Sequence, residues 1–253
     1  MHNSYHNHTP LCHHAFGKEE SYVLKAIEGG YRVFGFADHA PHLFRDLIHA
    51  SRMTPDELKL YVSTISELRE KYKSEIDIRI GLELEYYPKT HENEVRFFRE
   101  AGVEYFILGQ HMTGDGCTYG FNSFAETSEK DRYTAYVDQC LEGLASGVYS
   151  YIAHPDVFYY SGDDDFYKKE SDRLIAGAVS LGIPLELNLL GLSGGRHYPN
   201  PLFWERVSGS GAKVILGADA HSPERVYSRE EIKAAEGFAK KYRLELIESI
   251  ELK

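Results

Sequence analysis

Cysteine, tryptophan and methionine are scarce in this chain: three, one and three among 253 residues. Cys12, Cys117 and Cys140 form no CxxC pair and no disulfide framework, which fits a reducing compartment. Long apolar runs are also missing. None approaches the ~20 residues that span a bilayer, so no membrane partner is expected. No basic n-region leads into an apolar stretch, so no secretory signal is read and a cytoplasmic location is expected. Basic runs are absent as well, and the net charge is −11. A chain so acidic repels a phosphate backbone, and nucleic acid is not expected as a partner. A small anionic substrate remains compatible, because bound metal ions invert the field locally. There is no Pro- or Ser-rich linker, fixed-period repeat or low-complexity tract, so one domain over 1–253 is expected. The sequence sets no oligomeric state.

What is present is an ordinary globular composition, 42% hydrophobic and 26% charged. The length is normal for an α/β barrel and sufficient for a core without staples. Short apolar runs predict strands over 32–38, 76–86, 103–110, 147–153, 183–190 and 213–219, with the opening segment as a seventh. Helical periods lie between them, clearest over 54–73. There Thr54 reads as the N-cap, Pro55 as the first helical residue and Glu57 as the capping-box partner. Near-continuous apolar strands separated by helices imply a parallel sheet covered on both faces.

Histidine is the conspicuous residue, with thirteen in the chain. Four fall in "YHNHTPLCHHA" (5–15), where His6 and His8 alternate and would share one face of a strand. The strands then end in Asp38-His39, Gln110-His111, His154-Pro155 and Asp219-Ala220-His221, with Glu83 near the end of the third. In α/β barrels the active site forms at the C-terminal ends of the strands. A single histidine at a strand end would carry no message, but five polar strand ends plus an HxH opening predict a metal centre. Imidazole with carboxylate suits Zn, Mn or Fe rather than an all-oxygen calcium cage.

The candidate ligands are His6, His8, His14, His39, Glu83, His111, His154, Asp219 and His221. Nine exceed the needs of one ion, so two or three divalent transition-metal ions sharing carboxylates are expected. Paired metals can hold a bridging hydroxide and clamp both oxygens of an in-line displacement, which suits hydrolysis of a phosphate ester.

The motifs resemble those of the PHP (polymerase and histidinol phosphatase) superfamily, in its histidinol-phosphatase-like branch. "HNHTPLCHHA", "GFADHAP", "GLELEYYP", "LGQH", "IAHPD" and "LGADAHSP" are similar to its six motifs in order. "SRMTPDEL" resembles a segment that follows the second. The resemblance implies a distorted seven-stranded, TIM-like (β/α) barrel with up to three metals at the C-terminal ends of the strands. It implies His6, His8, Glu83 and Asp219 around the first ion. Glu83, His111 and His154 would hold the second, and His14, His39 and His221 the third. The family's interval selects His14 over His13. The implied reaction is hydrolysis of L-histidinol phosphate to L-histidinol and phosphate by a metal-bridging hydroxide.

Other residues complete the expectation. Asp38 would orient an imidazole, a common duty of carboxylates beside metal histidines. Arg196 in "GGRHYPNP", with Arg45 as a weaker second, is the candidate phosphate clamp. His42 and His197 are candidates to protonate the leaving alkoxide. Cys12 reads as packed rather than ligating, Asp156 as a turn residue, and "GDDDF" (162–166) as a solvated loop. Ser193 and the Tyr159–Tyr160 pair stand where many histidinol phosphatases carry basic residues. Another phosphate ester is therefore the alternative substrate: a sugar or nucleotide phosphate, a phosphodiester or phosphotyrosine. An amidohydrolase barrel would bridge its metals with a lysine, and no lysine ends a strand here. A catalytically idle scaffold barrel would have lost ligands, and none of the nine is lost.

Overall fold

Alternation along the strands sorts this chain into a barrel interior and an outer layer. The computed structural model describes residues 2–43 and 51–253. Its main sheet contains β1 (Asn3–Ser4), β2 (Val33–His39), β3 (Asp77–Leu84), β4 (Tyr105–Leu108), β7 (Tyr149–Ile152), β8 (Leu185–Asn188), β9 (Lys213–Gly217) and β10 (Glu245–Ile247). These lie side by side in that order, every pair parallel. Between β4 and β7 the short antiparallel hairpin β5 (Met112–Gly114) and β6 (Tyr119–Asn122) stands apart from the sheet. All seven expected strands are present, and β10 is an eighth that no apolar run announces.

The opening segment closes the barrel. Asn7 bridges Ala220 in parallel, the amide of Asp219 donates to the His6 carbonyl (2.9 Å), and that of Ala37 donates to the Asn7 carbonyl (2.9 Å). Residues 6–8 are thereby stitched between the ends of β9 and β2. Segments far apart in the chain meet at one rim, which brings "HNH" beside "GADAH".

Helices α1 (Glu19–Glu28), α2 (Leu58–Tyr72), α3 (His91–Ala101), α4 (Lys130–Ala145), α5 (Asp164–Ser180), α6 (Leu189–Ser193), α7 (Pro201–Val207), α8 (Pro223–Val226) and α9 (Arg229–Tyr242) cover or connect the strands. The expected 54–73 helix starts as a short 3₁₀ turn, Pro55–Glu57, and runs on as α2. The Thr54 amide and hydroxyl both donate to the Glu57 carboxylate at 2.8 Å. Leu58, Tyr61, Ile65, Leu68 and Tyr72 follow at helical spacing and are buried. The acid run at 162–166 is not a loop. Asp163 caps α5 by accepting from the Phe166 amide (2.8 Å), and Asp164 and Asp165 occupy the first turn, where the helix dipole favours negative charge. Among the described residues no helix is long and apolar enough to cross a membrane.

Two apolar layers result. Phe34, Phe36, Ile78, Ile80, Leu82, Phe106, Leu108, Leu185, Leu187, Val214 and Leu216 face the helices. Their alternates Ala37, Tyr105, Ile107, Tyr151 and Ile215, with Tyr5, fill the barrel. Gly35 and Gly81 make room for Tyr105, since a Cβ on either would sit 2.1–2.3 Å from its ring or hydroxyl. That hydroxyl donates to the carbonyl of Tyr5 (2.7 Å), with the Phe36 carbonyl a second acceptor within reach at 3.1 Å. The tail Ile250 and Leu252 packs against the same cluster from the N-terminal ends of the strands. Continuing towards the C-terminal ends, the inward positions change character. Glu83 on β3, Glu186 and Asn188 on β8, and Asp219 just past β9 replace apolar side chains. The plug of the barrel is greasy at one end and charged at the other.

Candidate metal centre

The period of two that fills the barrel also sets the site. In the β2–β3 register His39 pairs with Glu83, and both are directed to the same end. Glu83 is 1% exposed and ringed by imidazoles. Its Oε2 lies 2.8 Å from His39 Nδ1, 3.6 Å from His6 Nε2 and 3.8 Å from His8 Nε2. Its Oε1 lies 2.8 Å from His154 Nε2 and 3.3 Å from His111 Nε2. A Cβ on Gly109 would fall 2.0 Å from that Oε1, so the glycine is required for Glu83 to reach its place. Asp219 Oδ1 approaches His8 Nε2 (3.0 Å) and His6 Nε2 (3.6 Å). His14 and His221 meet at the rim with their Nε2 atoms 2.9 Å apart. Asp219 (φ 50°) and His154 (φ 28°) hold positive backbone angles that side chains rarely adopt, a strain that clusters at functional sites.

All nine expected ligands therefore converge. His6, His8 and Asp219 form one group whose ligand atoms lie within 4.8 Å of one another. His6, Glu83 and His154 form a second, and His14, His39 and His221 a third. His8, Cys12 and His221 also fall within that distance. Cys12 is fully buried. His13 turns away, half-exposed, with its Nε2 3.9 Å from Glu57.

Tautomers test whether these groups fit a cation. His14 Nδ1 meets the Cys12 carbonyl (2.7 Å) and His221 Nδ1 the Asp219 carbonyl (3.0 Å). A carbonyl only accepts, so each Nδ1 carries the proton and each Nε2 presents a lone pair. Two lone pairs 2.9 Å apart repel unless a cation, a shared proton or a metal ion, lies between them. His6 and His8 repeat the pattern: their Nδ1 atoms face the carboxylates of Glu186 (2.8 Å) and Asp38 (3.2 Å), and their Nε2 atoms lie 3.2 Å apart. Glu83 Oε2 is buried, with His39 Nδ1 at 2.8 Å but not aligned as a hydrogen-bond donor. The donor set fits divalent transition metals.

Electrostatics agree. Burial opposes charge on His6, yet Glu186, Asp219 and Glu83 together lift it to about 10. Burial also opposes ionisation of Glu83, but the imidazoles ranged around it, His6 and His154 among them, outweigh burial and hold the carboxyl well below its ordinary range. Burial keeps His221 neutral down to about 4 and His111 to about 3.

The remaining expected residues are less uniform in position. Asp38 lies behind His8; its second oxygen accepts from the Thr9 amide (3.0 Å) and hydroxyl. Arg196 lines a cavity of about 320 Å³ over the cluster, and its guanidinium donates to the Tyr198 hydroxyl (2.9 Å). His42 is buried with its Nε2 3.4 Å from Glu85, and His197 stacks on Tyr159 while its Nε2 meets the Val157 carbonyl (2.6 Å). Neither lines the cavity. Arg45 lies outside the described residues. Asp156 is buried, accepting from the Asn200 amide (2.5 Å) and Trp204 Nε1 (2.9 Å), so it fixes the loop that carries Arg196.

Sequence reasoning missed four polar residues. Glu186 accepts from His6 Nδ1 and from the His154 amide (2.9 Å). Asn188 donates to Glu186 (3.0 Å) and to Asp219 (3.1 Å). Their signal was present in "LELN", two polar residues in an otherwise apolar strand. Glu85 and Arg52 form a buried ion pair (3.1 Å), and Arg52 lines the cavity with Ser51. Met112, Asn122 and Phe124, from the hairpin and the turn after it, form the outer wall. Phe124 lies parallel to the His111 ring, centroids 5.7 Å apart.

Known proteins match both the sequence and the fold. The PHP domain profile matches residues 4–189. A Deinococcus radiodurans protein named "Probable histidinol-phosphatase" is 30% identical over 232 residues, 87% of this chain and 86% of its own. The Bacillus subtilis "Histidinol-phosphatase" is 28% identical over 157 residues, 58% of each chain. The crystal structure of histidinol phosphate phosphatase from Lactococcus lactis subsp. lactis, complexed with zinc, L-histidinol and phosphate, shares the fold. Its TM-score is 0.73 at 19% identity, covering 98% of this chain and 96% of that one. The profile covers most of the sequence and a relative of matching length reaches 30% identity: this chain belongs to the PHP domain family.

Proposed function

We propose that this chain is a metal-dependent phosphomonoesterase and that L-histidinol phosphate is its substrate. The observation that carries the reading is the convergence of nine imidazole and carboxylate ligands under one cavity, in a chain whose relatives are named histidinol phosphatases. Two or three divalent ions, Zn, Mn or Fe, would be held in the sets that the resemblance to the family implies. His6, His8, Glu83 and Asp219 hold the first. Glu83, His111 and His154 hold the second, and His14, His39 and His221 the third. Bound ions of this kind supply a nucleophile at neutral pH and neutralise charge on a phosphoryl group.

The protein's own residues do the rest. Arg196 binds phosphoryl oxygens by charge-assisted hydrogen bonds, braced by Tyr198. Arg52, bonded to the Ala40 carbonyl and paired with Glu85, lines the same cavity and offers a second positive charge. Asp38 works through His8, fixing its tautomer so that Nε2 stays a lone-pair donor. His42 works through Glu85, and His197 steadies the loop of Arg196 and Tyr198 by donating to Val157. Phe124, Met112 and Leu190 give the organic part of the substrate an apolar wall and keep water from it.

The test is the initial rate of phosphate release from L-histidinol phosphate by zinc- or manganese-loaded protein, with p-nitrophenyl phosphate alongside. A kcat/KM of about 10⁴ M⁻¹s⁻¹ or more on histidinol phosphate is expected. Turnover of the aryl ester alone would keep the phosphatase and reject the substrate. No turnover of either would reject both.

A further inference from the structure

The ligand histidines do not share one kind of backing. His6 and His8, fully buried, present Nδ1 to the carboxylates of Glu186 (2.8 Å) and Asp38 (3.2 Å). His14 and His221, at the rim, present Nδ1 to the neutral carbonyls of Cys12 and Asp219, while His39, the third of the rim group, presents Nδ1 to Glu83 (2.8 Å), which it shares with the inner groups. A carboxylate raises the basicity of the imidazole it accepts from, and such partners change metal affinity by about 10–100-fold. A carbonyl dipole does this less. Solvent access is graded too: the His6 and His8 side chains are 0% exposed, His39 and His111 both 12%, His221 18%, and His14 is open to solvent.

Glu186 is more than a local partner. It accepts from His6 Nδ1, the His154 amide and Asn188, and Asn188 continues to Asp219. One buried carboxylate is thus wired to three ligands of the inner groups. Its place depends on Gly217, where a Cβ would lie 1.7 Å from Glu186 Oε1. Among the described residues no hydrogen bond links Glu186 or Asn188 to His14, His39 or His221.

We propose that the centre is graded: Glu186 and Asp38 are positioning residues that lock the inner ions, whereas the rim triad His14–His39–His221 holds a freely exchanging ion. The proposal rests on the metal-centre reading above. It makes catalytic competence depend on the free concentration of one metal ion in the surroundings, with the inner ions permanently resident.

Metal release from the zinc-loaded full chain tests it. Bound zinc is counted by mass spectrometry after gel filtration, then its transfer to an excess of a chromogenic chelator is followed in time. Expected is one ion per chain leaving at least about tenfold faster than the others. His14→Ala removes that fast phase and leaves the slow one. Glu186→Gln and Asp38→Asn, each neutral and close in shape, speed the slow phase about tenfold and leave the fast phase unchanged. Either variant suffices if the other fails to fold by circular dichroism. Release of all ions in one phase, absence of a fast ion, or slow phases untouched in a folded Glu186→Gln or Asp38→Asn overturns the grading. Failure to retain any zinc after loading overturns the metal-centre reading itself.

Discussion

His13 and His14 are neighbours with opposite surroundings. His13 caps the 3₁₀ turn Pro10–Cys12 in a left-handed conformation (φ 63°) and points towards Glu57. His14 turns inwards to His221 and His39, with ring centroids at 4.6 and 5.4 Å. His14→Ala is expected to lower turnover at least about tenfold with loss of bound metal. His13→Ala should leave turnover within about twofold, as for an exposed residue away from special features. Steady-state kinetics with metal counting decide it, and the reverse result would mean the ligand register is off by one. Strand-end residues were legible because polar groups recur where apolar runs stop. Glu186 was not, because alternation alone cannot tell an inward carboxylate from a solvent-facing one. Only the closed barrel makes its position interior. Arg52 was hidden for another reason: it lies in a helix-start segment whose capping signal drew the reading.

At the scale of elements, helix α3 carries a buried acid at its first turn. Glu94 is 1% exposed, and burial, with Glu85 nearby, raises its pKa to about 7 despite a hydrogen bond from Thr90 (3.0 Å). Between pH 4.5 and 7 the folded chain therefore holds a proton that the unfolded chain has lost. Stability falls as pH rises through that window, by up to ~3 kcal/mol for this group. Glu94→Gln should flatten that part of the profile and leave stability near pH 4.5 unchanged, read from urea melts at several pH values. Parallel strands and α2 were legible because their apolar periods are long. β10 was not: Glu245–Ile247 has mostly exposed side chains and docks on β9 through its backbone. The β5–β6 hairpin is short and Gly-rich, with no apolar run to mark it. It nonetheless leads into Phe124, which lines the cavity, so this part of the lining is what hydrophobic pattern reads worst.

For the whole molecule, the seal at the N-terminal ends of the strands is made by the tail. Ile250 and Leu252 cover Tyr5 and Tyr105, while the Lys253 amide donates to Ser150 Oγ (2.9 Å) and its carbonyl accepts from the Phe106 amide (3.3 Å). Removing residues 248–253 should cost about 2–4 kcal/mol, seen as a lower urea midpoint. Metal stoichiometry should be unchanged, because the ligands sit at the other end. Loss of metal together with the tail would show that the two ends of the barrel are coupled.

The same arrangement orients the protein for anything attached to it. Asn3 Nδ2 donates to the Glu248 carbonyl (2.8 Å) and the tail ends at Ser150 and Phe106, so Asn3 and the whole tail lie on the face opposite the metal cavity. A surface tether, reporter or fused neighbour joined at either end hangs from the blind side, and the mouth keeps its view of the solution.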